Sequence, residues 1–144
     1  MKLVVGATLL SLCGSAAAFA RSPSLAQLAP GERIHVAYHS RGCFHDRMYD
    51  IDFERGASVT ARASGRTIAL SPREIAGLDR LFEFYRSRPR GGCTTQDKIT
   101  ISQFRAGSEI SSERYVDGSC ATSEMKDVTR FYEIAKKLGL EHDT

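Results

Sequence analysis

Tyr49, Ile51 and Phe53 alternate with Asp50, Asp52 and Glu54, the period of a strand with one buried face. Folding the chain back about Arg55, Gly56 and Ala57 sets Phe53 opposite Val59, Ile51 opposite Ala61 and Asp50 opposite Arg62, so apolar meets apolar and acid meets base. The period then changes. Ser71, Pro72 and Glu74 form a helix start, with a hydroxyl cap, proline at the first helical position and a carboxylate three residues after the cap. Ile75, Leu78, Phe82 and Tyr85 follow on one stripe, and Pro89, Gly91 and Gly92 end the segment. A second helix is predicted from Thr122 or Ser123. It carries Met125, Val128, Phe131, Tyr132, Ala135 and Leu138 and stops at Gly139, after Lys136 and Lys137. Ahead of these units Ile34, Val36 and Tyr38 alternate with His35, Ala37 and His39 as a further strand. The pattern predicts an α+β domain: an antiparallel sheet of about five strands carrying two amphipathic helices, on one face of the sheet.

The chain also reads as a tandem ββα repeat, residues 42–88 and 92–138. At an offset of fifty Gly42 and Cys43 fall on Gly92 and Cys93, and Tyr49 and Ile51 on Ile99 and Ile101. A slip of one residue then aligns Phe53, Gly56 and Val59 with Phe104, Gly107 and Ile110, before Arg80–Glu83 meets Arg130–Glu133. Chance agreement between two amphipathic segments is the competing explanation, and the secondary structure is the same under both.

Residues 1–20, with Lys2 before an apolar run that closes on Ala18, Phe19 and Ala20, read as a cleavable signal peptide. Residues 21–31, with Pro23 and Pro30, read as a flexible tether, and 32–140 as a single domain. Without the leader the chain carries 19 Lys and Arg against 17 acids, too even a balance for a nucleic-acid footprint. No later stretch is long and apolar enough to span a membrane. The expected setting is therefore periplasmic or secreted, where thiols pair.

Cys43, Cys93 and Cys120 remain after the leader. Cys93 and Cys120 stand symmetrically about the turn at Ala106 and Gly107, so the last hairpin brings them together at its open end as a disulfide. Cys43 is most simply a buried apolar filler; intermolecular pairing, a redox role or a bridge to another cysteine are the alternatives.

Three of the four histidines lie near Cys43. A metal site would be built from His39, Cys43 and His45, because His35 and His39 on one strand face stand ~13 Å apart. Cys43 with His45 is also a candidate nucleophilic pair, although nothing nominates an orienting third group. The acidic strand edge Asp50, Asp52 and Glu54 and the basic loop Arg86, Arg88 and Arg90 could each meet a charged partner, or simply be solvated. The chain carries no serine-nucleophile elbow, phosphate-binding glycine loop or paired zinc motif, which points away from an enzyme and implies no cofactor.

Ser40, Arg41, Gly42, Cys43 and Phe44, followed by Tyr49, Ile51 and Phe53, resemble the opening of a family of short, uncharacterised bacterial exported domains. Those domains begin with glycine, cysteine and phenylalanine, then a second cysteine and a proline; Asp46 and Arg47 stand in those places here. The resemblance implies a small exported domain and no functional residue. The expectation is a non-enzymatic binding module of the bacterial envelope, of the inhibitor or immunity type, with a protein partner. The alternative is a periplasmic metal-binding or redox accessory protein using His39, Cys43 and His45.

Overall fold

A computed structural model describes residues 22–87, 91–120 and 126–140. The leader at 1–20, the start of the second helix with Met125, and Arg88 and Arg90 lie outside the described residues. The elements run β1 (Glu32–Arg41), β2 (Asp46–Arg55), β3 (Val59–Ala63), β4 (Arg66–Ala69), α1 (Pro72–Ser87), β5 (Gln96–Arg105), β6 (Ser108–Asp117) and α2 (Lys126–Lys137). One antiparallel sheet has the order β4-β3-β2-β1-β5-β6. The expected extra strand, β1, is thus interior to the sheet, with β2, β3 and β4 on one side and the β5–β6 hairpin on the other.

The sheet has six strands where about five were expected. The additional one, β4, is joined to β3 by a two-residue turn in which Ser64 and Gly65 both take positive φ, 49° and 75°. That geometry matches the twist of a tight hairpin. The first hairpin also closes in a different register. Arg55 pairs with Val59 and Phe53 with Ala61, so Asp52, and not Asp50, faces Arg62. The loop is only Gly56–Ser58, and the displacement by two residues leaves every side chain on its expected face.

Ile34, Val36 and Tyr38 of β1 point to the same side as Tyr49, Ile51 and Phe53 of β2 and Ile99 and Ile101 of β5, and all are buried. Leu78, Leu81, Phe82 and Tyr85 of α1 and Val128, Phe131, Ile134 and Ala135 of α2 complete this core. The two helices are clasped together by Asp127, which accepts from Arg80 at 2.9 and 3.0 Å and from Arg130 at 2.6 Å. Within the repeat the strand centres and helices correspond in burial, but the hairpin ends do not. Phe53 and Val59 are buried, whereas Phe104 lies beneath Arg33 on the opposite face and Ile110 is exposed. Phe53 follows Ile51 by two residues and keeps its face, whereas Phe104 follows Ile101 by three and takes the other; Ile110 is the residue skipped where the β5–β6 register shifts.

Residues 22–31 are not a free tether. Leu25 and Leu28 are buried in the core, and Asp79 of α1 holds their turn, accepting from the Leu25 and Ala26 amides at 2.7 and 3.0 Å and from the Ser24 hydroxyl at 3.0 Å. Burying two leucines offsets the entropy of ordering a short segment. Asp79→Ala should cost about 1–3 kcal/mol and speed amide exchange at Leu25 and Ala26 before that of β1. Unchanged exchange at those two amides would mean the clamp is not what orders the segment.

The helix start at Ser71 has the expected reciprocal form: the Glu74 amide donates to the Ser71 hydroxyl at 3.2 Å and the Ser71 amide donates to the Glu74 carboxylate at 2.8 Å. Burial pushes the Glu74 carboxyl up, but the Ser71 amide and hydroxyl and the Lys137 ammonium outweigh it and hold it at about 2, against an ordinary 4.5. A carboxyl lowered on folding stabilises above its unfolded pKa and loses that contribution as pH falls towards the folded one. Wild type and Glu74→Gln should therefore differ most in urea denaturation near neutrality and converge between pH 4.5 and about 2. A stability difference that does not change over that interval would contradict the assignment.

Candidate functional site

The alternation that buries Tyr38 also turns Ser40 inward, and the alternation that buries Ile99 turns Asp97 inward. Both are polar residues in core phase at one end of the sheet. Register sets Arg47, Ser40, Asp97 and Asp117 side by side on one row across β2, β1, β5 and β6. Above this row α2 brings Thr129 and Tyr132. The result is a cleft of about 350 Å³ lined by Ser40, His45, Arg47, Thr95, Asp97, Cys120, Thr129 and Tyr132.

Inside the cleft the polar groups are ordered by the aromatic core. The Tyr38 and Tyr132 hydroxyls meet at 2.9 Å, and the Tyr85 hydroxyl donates to Asp97 Oδ2 at 3.3 Å. Burial, reinforced by the neighbouring phenols and Asp97, pushes the Tyr38 hydroxyl far above the ordinary phenol range. Burial and Asp97 do the same to Tyr85. Both therefore remain protonated donors. Asp97 is 4 % exposed, and its Oδ1 has no hydrogen-bond partner among the described residues. A buried acceptor without a donor is costly, so this atom marks where an incoming group gains most. At the mouth the Arg47 guanidinium lies 5.3 Å from the centre of the Tyr132 ring.

His45 belongs to this cleft. Its Nε2 lies 2.9 Å from the Ser40 hydroxyl, because the β1–β2 loop folds its ring back over Gly42. A side chain at Gly42 would bring its Cβ within 2.6 Å of the imidazole and 2.9 Å of the Thr95 hydroxyl. His39 points to the other face of the sheet, where it pairs with Asp46. Cys43 sits between them on the loop as a free and exposed thiol, not a buried filler. The three candidate ligands are therefore not brought together, and among the described residues no group of three His, Cys, Asp or Glu is placed to hold a metal ion. The reason is parity: His39 and Ser40 are neighbours on β1 and point to opposite faces, and His45 follows Ser40. Cys43 and His45 likewise do not pair. Among the described residues no carboxyl orients the second nitrogen of His45, and Ser40 is itself buried.

Cys93 and Cys120 are bonded, with Cα atoms 5.8 Å apart, and Cys120 forms part of the cleft wall. Such a bond is compatible with an oxidising, extracellular setting. No described helix is long and apolar enough to cross a membrane. No family model, curated protein or solved structure matches this chain.

Among the described residues no helix packs on the face of the sheet opposite α1 and α2. Across it Arg33 donates to Asp52 at 2.5 Å, His35 Nδ1 lies 3.0 Å from the same carboxylate, and Arg62 approaches it at 3.7 Å. Burial raises the Asp52 carboxyl, but the hydrogen bonds from Arg33 and His35 outweigh it and hold the group below the usual carboxylate range. Asp52 is thus paired with its neighbours, while Asp50 and Glu54 of the same edge are exposed. At one end of this face Met48, His39, Lys98 and Val116 form a row, with both Met48 and Val116 exposed. Phe44, at the tip of the adjoining loop, is fully exposed.

Proposed function

We propose that the protein is an exported, non-enzymatic binding module of the bacterial envelope, of the inhibitor or immunity type, which holds a protein partner through the sheet face opposite the helices and the β1–β2 loop. The observation that carries this reading is Phe44, whose whole side chain stands in solvent beside a rigid sheet face. Exposed aromatic side chains are costly to leave wet and are the usual anchors of protein interfaces. Met48 and Val116 extend the apolar area, and the charged groups around them supply a polar rim. The leader-like N-terminus and the Cys93–Cys120 bond support an envelope location. The metal-binding or redox alternative is less well supported, since His39, Cys43 and His45 stand apart.

The test is affinity capture from envelope extract with the mature protein, followed by titration of whatever is retained at one-to-one stoichiometry. Phe44→Ser and Met48→Ser should each weaken that complex by about tenfold or more. No stoichiometric partner, or a complex indifferent to both substitutions, would overturn the reading.

A further inference from the structure

We propose that the cleft beneath α2 is a binding site for a small amino or guanidino acid, with its cationic nitrogen donating to Asp97 and its carboxylate facing Arg47. This site is separate from the sheet face opposite the helices and stands or falls independently of a protein partner.

Three observations carry it. First, the cleft has a volume of about 350 Å³, within the range of small-molecule sites. Second, Asp97 is almost wholly buried at its base, with one oxygen occupied by the Tyr85 hydroxyl and the other free of any partner among the described residues. A phenol is neutral or anionic, so neither Tyr38 nor Tyr85 can supply a positive counter-charge. The unmet acceptor calls for a donor, and a charged nitrogen makes the stronger bond. Third, Arg47 lies two strands from Asp97 on the same row, which places their backbones about 10 Å apart. A cation at the base and an anion at the mouth match that order of charges, with the Tyr132 ring beside the chain between them. Ser40, His45, Thr95 and Thr129 offer further hydrogen bonds.

The probes are 5-aminovalerate, n-butylamine and butyrate, titrated into isotopically labelled mature protein and followed by amide chemical shifts. Saturable shifts at Thr95, Asp97, Thr129 and Tyr132 are expected, with 5-aminovalerate tightest, butylamine weaker and butyrate weakest. Asp97→Asn should weaken both amines by about tenfold or more. Arg47→Gln alters an exposed residue; it should bring 5-aminovalerate down to the level of butylamine. It also keeps the test open if the buried substitution fails to fold. Absence of saturable binding, butyrate matching or exceeding butylamine, amine affinity unchanged by Asp97→Asn, or 5-aminovalerate no tighter than butylamine would each overturn the assignment.

Discussion

Phe131→Ala is expected to lower stability by about 3–5 kcal/mol, the range for removing a fully buried aromatic ring. Phe131 is completely inaccessible and packs edge-on against Tyr38, with ring centres 5.1 Å apart, and against Tyr49 at 6.0 Å. Those tyrosines stack on one another across β1 and β2, and Tyr132 touches both. One ring of α2 therefore holds the helix to the centre of the sheet and fixes the roof of the cleft. The cavity left by alanine loses transfer free energy and contacts together. Urea denaturation should show the loss in the midpoint at constant m value, with a weakened near-ultraviolet tyrosine signal. Phe131→Leu, which refills most of the volume, should cost about 1.5 kcal/mol or less. Equal losses for the two variants would rule out the cavity explanation.

Replacing Cys93 and Cys120 together by serine is the second large effect. The bond joins residues 27 apart in sequence, and restricting such a loop in the unfolded chain is worth roughly 3.5 kcal/mol. Against a typical total of about 5–15 kcal/mol, the double variant should melt about 10 °C lower. The site feels the change as well, because Cys120 lines the cleft and the Cys93 amide donates to the Gly118 carbonyl at 2.7 Å beside it. Cys43→Ser serves as the control: this thiol is free and exposed, and its loss should move the melting temperature little. A double variant as stable as wild type would mean that the β5–β6 hairpin holds its own end closed.

Much of the architecture was legible because its causes are local. The alternation in β1 and β2, the Ser71–Glu74 box and the stripe on α1 each depend on residues within a few positions of one another. The disulfide was legible too, since a hairpin turn midway between two cysteines brings them together irrespective of the rest of the fold. Strand β4 escaped notice because Arg66–Ala69 is short and only Ile68 is apolar and partly buried. The order of the N-terminal segment is not legible locally, because two leucines lack a period and their partner Asp79 lies 54 residues from Leu25.

The candidate site was visible only in fragments. Ser40 and Asp97 continue the buried phase of their strands, and a polar residue where a core residue belongs was the available signal. His39, Cys43 and His45, by contrast, share a neighbourhood in sequence but are not brought together in space.

By itself the sequence determined the α+β class, the positions of both helices, the buried faces of the strands and the covalent clasp on the last hairpin. Each follows from periodicity or from distance along the chain. Only the tertiary structure decided that β1 lies in the interior of the sheet, that His45 turns to Ser40 while His39 faces away, and that Arg47, Ser40 and Asp97 share a row under Tyr132. Those relations depend on strand order and register, which are set when separate hydrophobic faces bury one another and not by any local run of residues.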